Sequence, residues 1–347
     1  MTIDRFLSRG RSAALLLLLA LLSGRSVSAA GRPQPASGDG GKVRPRTYAN
    51  PVCPMSLPDP TVIEEEGTYY LYATENTPNV PIMRSQDLVN WTLCGTVFTD
   101  LTHPDFVEGG RVWAPDVNRI GDRYVMYYAV SVWGGEWTCG IGVAEAETPE
   151  GPWTNRGKLF LSSEIGVQNS IDPFYIEDEG RKYLFWGSFR GLYGIELSDD
   201  GLSVRPGAEK RRVAGTAYEA IYIHKRAGRY YLFASVGTCC EGVKSTYTTV
   251  VGRSDSLFGP YLDRQGRSML ENRHEVVVTG SGRFAGPGHN AEIVTDARGR
   301  DWMLYHAVDV RDPKGRALML DRIRWRGGWP EVKGRHPSER AAAPRFR

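Results

Sequence analysis

The chain has 347 residues, 41% of them hydrophobic and 24% charged, the composition of an ordinary globular protein. Its formal charge of +3 comes entirely from the first 30 residues, where Arg5, Arg9, Arg11 and Arg25 outweigh Asp4. The remainder is neutral, so neither nucleic acid nor an anionic membrane is expected as a partner.

Residues 1–30 read as a signal peptide. A basic start leads into the apolar run Ala13–Leu22, and Ser28-Ala29-Ala30 offers small residues for cleavage. The run is short for a bilayer span, so the expectation is a secreted or periplasmic protein without a stable membrane anchor. Residues 31–47, rich in Gly, Pro, Ser and basic side chains, read as a linker. Residues 335–347 read as a C-terminal tail of similar character. Five cysteines (Cys53, Cys94, Cys139, Cys239, Cys240) leave at least one unpaired in a monomer, and their spacing fits no zinc site.

Between linker and tail, residues 48–334 are dominated by short aromatic and β-branched runs broken by Gly, Pro, Asn and Asp. One unit recurs five times: a Pro or Ala, an apolar stretch, a polar turn with Gly, and an aromatic strand. The copies begin at Asp59-Pro60, Ala114-Pro115, Asp172-Pro173, Glu219-Ala220 and Asn290-Ala291, and turn at Gly67, Gly121, Gly180, Gly228 and Gly299. A lone hairpin cannot bury its apolar face, whereas radially packed four-stranded sheets can. The repeat therefore predicts an all-β fold, a five-bladed β-propeller.

Aligned on that Pro or Ala, the preceding position reads Asp59, Ala114, Asp172, Glu219 and Asn290. In a propeller it opens the innermost strand at the mouth of the channel. Three carboxyl groups converging there repel one another and cost stability, an arrangement that points to function. Glycosidic cleavage is the matching chemistry. It needs a carboxylic acid to protonate the leaving oxygen and a carboxylate to activate water or attack the sugar. A third carboxylate can hold the two in different protonation states. Asp59 and Glu219 open blades one and four, two steps apart through blade five. That geometry predicts the wide gap an inverting hydrolase needs.

From about Pro58 to Pro330 the chain resembles glycoside hydrolase family 43. The resemblance rests on Pro58-Asp59-Pro60, Trp113-Ala114-Pro115-Asp116-Val117, Ser170-Ile171-Asp172-Pro173 and Tyr218-Glu219-Ala220. Cys239-Cys240-Glu241-Gly242-Val243-Lys244-Ser245-Thr246-Tyr247 and Gly286-Pro287-Gly288-His289 are similar to segments of its arabinan-degrading members. The resemblance implies Asp59 as general base, Glu219 as general acid and Asp172 as pKa modulator, with inversion at the anomeric carbon. It implies a plant cell-wall polysaccharide or oligosaccharide as substrate, and His289 beside a channel cation such as calcium. His306 is a second candidate there. Trp113, Phe189 and Arg190 are candidate substrate contacts. Arg190 departs from the family pattern, which commonly has an aromatic residue at that place. Two alternatives stay open: an exo-acting α-L-arabinofuranosidase or β-xylosidase, and a non-catalytic carbohydrate-binding propeller.

Overall fold

The computed structural model describes residues 47–346. The expected signal peptide and the linker up to residue 46 lie outside the described residues. Five antiparallel sheets follow one another along the chain as the blades of a five-bladed β-propeller. Blades one to four each have four strands in sequence order, beginning with Thr61–Glu65, Arg111–Ile120, Phe174–Asp178 and Glu219–Arg226. The first two strands of blades one, three and four are joined by two-residue turns. Their central residues, Glu66-Gly67, Glu179-Gly180 and Ala227-Gly228, all have positive φ. This is the turn whose twist matches paired strands, and it explains the glycine that recurs at each hairpin tip.

Blade five is assembled from both chain ends. Its innermost position is split between Phe284–Gly288 and Ile293–Thr295, both paired with Asp301–Asp309. Ala317–Arg326 follows, and its outer edge is shared by Trp329–Val332 and the N-terminal strand Cys53–Ser56. The N-terminus thereby closes the ring. Asn50 reinforces the closure: its Nδ2 donates to the Leu320 and Ser338 carbonyls at 3.0 and 2.9 Å, and its Oδ1 accepts from the Leu320 amide at 2.9 Å. The C-terminal residues, expected to form a linker-like tail, are instead part of the fold. Arg340–Ala342 pairs with Thr47–Ala49, Ala343 is buried, and the Phe346 ring lies 4.9 Å from that of Tyr69. Composition misled here because a three-residue strand has too few side chains to show a period.

Apolar clusters lie between successive blades. Tyr127 stacks on Tyr175 across blades two and three, and Phe174 meets Tyr222 edge-on across blades three and four. The inner strands pair on one side only, so their channel edges need other acceptors. The neighbouring blade supplies them. Glu292 accepts the Val62 amide at 2.6 Å, Thr61 the Val117 amide at 3.3 Å, Asp116 the Tyr175 amide at 2.7 Å, and the Tyr222 hydroxyl the Ile293 amide at 3.0 Å.

Two of these acceptors, Asp116 and Glu292, are carboxyl groups close enough to interact. Burial drives both pKa values upward, and the charge of Glu292 adds to the rise at Asp116. The folded pair therefore retains protons that the unfolded chain releases. Its stabilising contribution is complete below the ordinary carboxyl range and is lost as pH rises through the raised pKa values, at about 1.4 kcal/mol per pH unit for each extra proton held. Asp116→Asn should therefore lose less melting temperature than the wild type as pH rises through and above the ordinary carboxyl range. Equal slopes would show that the pair contributes nothing to the pH dependence.

Candidate active site

Each inner strand is entered through a residue in the left-handed region: Asp59 (φ 54°), Ala114 (43°), Asp172 (57°), Ala220 (58°) and His289 (48°). Asp59, Ala114, Asp172 and Ala220 hold one place in the repeat, and His289 lies just upstream of Asn290, which holds it in blade five; such conformations cost about 1–3 kcal/mol each and cluster at functional sites. The register corrects the sequence alignment in blade four. The bulge between Glu219 and Tyr222 matches the one between Trp113 and Asp116 in blade two, so Ala220 aligns with Ala114 and Glu219 with Trp113. Glu219 thus opens its strand one residue upstream of the place held by Asp59 and Asp172.

The three carboxyl groups do converge. Asp59, Asp172 and Glu219 are all nearly buried; Asp172 feels the charges of Glu219 and Asp59, and Glu219 feels that of Asp59. Asp172 Oδ2 accepts the amide of Ala220 at 3.1 Å, which ties it to the residue following Glu219. Glu219 Oε2 accepts the Ser188 hydroxyl at 2.7 Å, and Tyr247 supplies a further hydrogen bond to this carboxyl. Asp59 Oδ2 accepts the Thr74 hydroxyl at 2.6 Å. Its Oδ1 lies 2.8 Å from Arg316 Nη1 and 3.2 Å from His289 Nδ1.

These partners separate the protonation states. Burial pushes Asp59 upward, but the Arg316 guanidinium and then His289 outweigh it and hold the carboxyl well below its usual range. Glu219 is raised, chiefly by burial, with the Ser188 and Tyr247 hydrogen bonds opposing. Asp172 is raised to about 7 by burial, with the charges of Glu219 and Asp59 adding to it and His289 opposing. One channel mouth thus holds a carboxyl of lowered proton affinity beside carboxyls of raised proton affinity, the separation acid–base hydrolysis requires.

The other candidates differ in their surroundings. His306 is fully buried, its Nδ1 accepts the Asp59 amide at 3.1 Å, and its ring stacks on Tyr247. Burial holds it neutral, so the proton sits on Nε2, which has no partner. Trp113 is half-buried with its ring 6.4 Å from that of Trp133. Phe189 is half-buried in the turn that carries Ser188. Arg190 is exposed, but its guanidinium is engaged by Glu136. Among the described residues no group of three His, Cys, Asp or Glu side chains forms a cation cage. His289 fits a cation only as a single ligand: Nδ1 faces the Asp59 carboxylate, which leaves Nε2 to bind, with water completing the shell.

Arg316, Thr74, Ser188 and Tyr247 escaped the sequence reading as site residues. Tyr247 ends the quoted Cys239–Tyr247 segment and Ser188 precedes the candidate Phe189, but Arg316 is 257 residues from Asp59 and belongs to no repeat position. Arg316→Gln should raise the Asp59 pKa. With Asp59 as the general base that the resemblance implies, the acidic limb of kcat/KM should move to higher pH. An unmoved limb would show that Arg316 does not hold this charge.

Residues 48–330 match the sequence profile of Glycosyl hydrolases family 43. The extracellular exo-α-(1→5)-L-arabinofuranosidase of Cellvibrio japonicus is 34% identical over 307 residues, 80% of this chain and 86% of that protein. The extracellular endo-α-(1→5)-L-arabinanase 1 of Bacillus subtilis is 33% identical over 290 residues, 79% of this chain and 87% of that protein. Among solved structures, the Cellvibrio cellulosa α-L-arabinanase complexed with arabinohexaose superposes with a TM-score of 0.73 at 32% identity, covering 80% of this chain and 95% of that one.

Proposed function

The chain belongs to glycosyl hydrolases family 43, and from that premise we propose that it is an exported enzyme cleaving α-L-arabinofuranosyl linkages of arabinan-type polysaccharide. The observation that carries this reading is the opposite displacement of Asp59 and Glu219 from their ordinary pKa values within one channel mouth. Glu219 delivers its proton to the departing glycosidic oxygen, held in orientation by Ser188 and Tyr247. Asp59 takes a proton from the water that attacks the anomeric carbon from the opposite face. Asp172, linked to Ala220, keeps Glu219 protonated and in place. One displacement by water inverts the anomeric configuration. Export agrees with the relatives named as extracellular and with the disulfide between Cys239 and Cys240, a bond favoured in oxidising compartments. No helix among the described residues is long and apolar enough to cross a membrane.

Asp59→Asn and Glu219→Gln should each lower turnover of linear arabinan by about 10²–10⁴-fold while the protein stays folded. Glu219→Gln should keep more activity on aryl arabinofuranosides, whose good leaving groups need little protonation. Proton NMR of the first-formed product should show the inverted anomer. A retained anomer would make one carboxylate a nucleophile and overturn these roles. The product profile on linear arabinan separates endo from exo action.

The same reading places a hydrated calcium ion at His289, where it would add positive charge to the channel. Metal analysis of the purified protein, with melting curves before and after chelation, checks this. His289→Ala should reproduce part of the stability lost on chelation. A metal-free protein of full stability and activity would leave His289 solely as the partner of Asp59.

A further inference from the structure

Glu136 is a hub that the acid–base chemistry does not use. It lies in the loop 132–139, which joins the second and third strands of blade two. Arg111 pairs with Ser131, so this loop leaves the sheet at the end where the inner strand begins, the catalytic end. The loop carries Trp133, 82% exposed, and Trp137, 51% exposed, beside the half-buried Trp113. Large apolar side chains left open at the mouth of a polar channel suit a ligand with apolar faces and many hydroxyls, as a sugar has.

The Glu136 side chain holds this loop to blade three. Arg190 Nε and Nη2 each donate to it at 2.9 Å, one to either oxygen, and Gln168 Nε2 adds a bond at 2.6 Å. The fork fixes both distance and angle, which a single ammonium contact does not. Arg190 occupies the tight turn Gly187–Gly191, which also contains Ser188, the donor to Glu219. A second route joins the same parts. The Glu136 carbonyl accepts the Asn169 amide at 2.7 Å, Asn169 Nδ2 donates to Ser188 Oγ at 2.9 Å, and Ser188 donates to Glu219. The loop with the open tryptophans and the turn that orients the acid are thus fastened to one residue.

We propose that the Glu136–Arg190 fork is a specificity-determining clasp, which sets the Trp133/Trp137 loop at a fixed distance from Glu219 so that it receives sugar units of the chain beyond the one being cleaved. This rests on the reading of the channel mouth as a glycosidase centre. Glu136 and Arg190 act as positioning residues. The guanidinium faces Glu136, and Arg190 therefore serves recognition through the loop it holds. Arg190 thus acts as a brace that presents the neighbouring blade's tryptophans.

The test compares linear arabinan with an aryl α-L-arabinofuranoside, which is too short to reach the loop. Glu136→Gln should lower the ratio of kcat/KM on arabinan to kcat/KM on the aryl glycoside about fivefold or more, through KM rather than kcat. The exchanged pair Glu136→Arg with Arg190→Glu should recover part of that ratio. The fork is partly exposed, so the melting temperature should move by less than about 2 °C. Hydrogen exchange across residues 132–139 should quicken in Glu136→Gln whatever the substrate. A ratio left unchanged, or equal losses on both substrates, would overturn the clasp, as would unaltered exchange in the loop. Wild-type protein inactive on both substrates would sink the glycosidase reading instead, while the exchange measurement still decides whether the fork holds the loop.

Discussion

The structure depends on how five inner strands satisfy backbone groups on an edge that has no strand partner. Each inner strand is paired outward and faces the channel with its other edge. Unpaired buried amides cost free energy comparable to a lost hydrogen bond. The fold meets this by reaching from blade to blade with side chains: Glu292, Thr61, Asp116, Tyr222 and, at the mouth, Thr74 to the Ala114 amide and Ser235 to the His289 amide. A channel lined in this way is necessarily polar, and carboxyl groups fit it because each can accept several donors at once. The catalytic arrangement is a variation on a structural device, with the same residue types moved from holding the ring to the mouth, where substrate can reach them.

The left-handed entry residues show how the variation is made. Asp59 and Asp172 sit in a conformation that short polar side chains tolerate better than most. Ala220 takes that place in blade four, and Glu219 is displaced by one residue. The displacement puts the longer carboxyl next to Ser188 and Tyr247, while Asp172 remains tied to the Ala220 amide. The two acids therefore meet different surroundings, from adjacent places in the repeat.

Electrostatics then divides three chemically similar groups into distinct roles. Burial alone would raise all three. Arg316 and His289 reverse this at Asp59, whereas at Glu219 the Ser188 and Tyr247 hydrogen bonds and the charge of His289 offset it only in part. Asp59 and Glu219 feel the same enclosure and differ in their partners. Arg316 enters from the loop before the third strand of blade five, so Asp59 is tuned by the last blade while Glu219 is held by blades three and four.

The sequence alone determined the blade count, the hairpin tips and the family, and singled out three acids as candidates, because these are written in a local period of apolar and turn residues that one chain displays without its neighbours. Tyr247 was visible at the end of a motif but not as a partner of Glu219. Only the tertiary structure decided which residues those acids touch. It set the one-residue shift at Glu219, the pairing of Arg316 with Asp59, the engagement of Arg190 by Glu136, and the incorporation of residues 340–342 into a sheet with residues 47–49. Each is a contact between segments from different blades or opposite chain ends, across separations that carry no periodic signal. Ring closure sets their distances, and a carboxyl group's proton affinity follows from those distances, not from its place in the repeat.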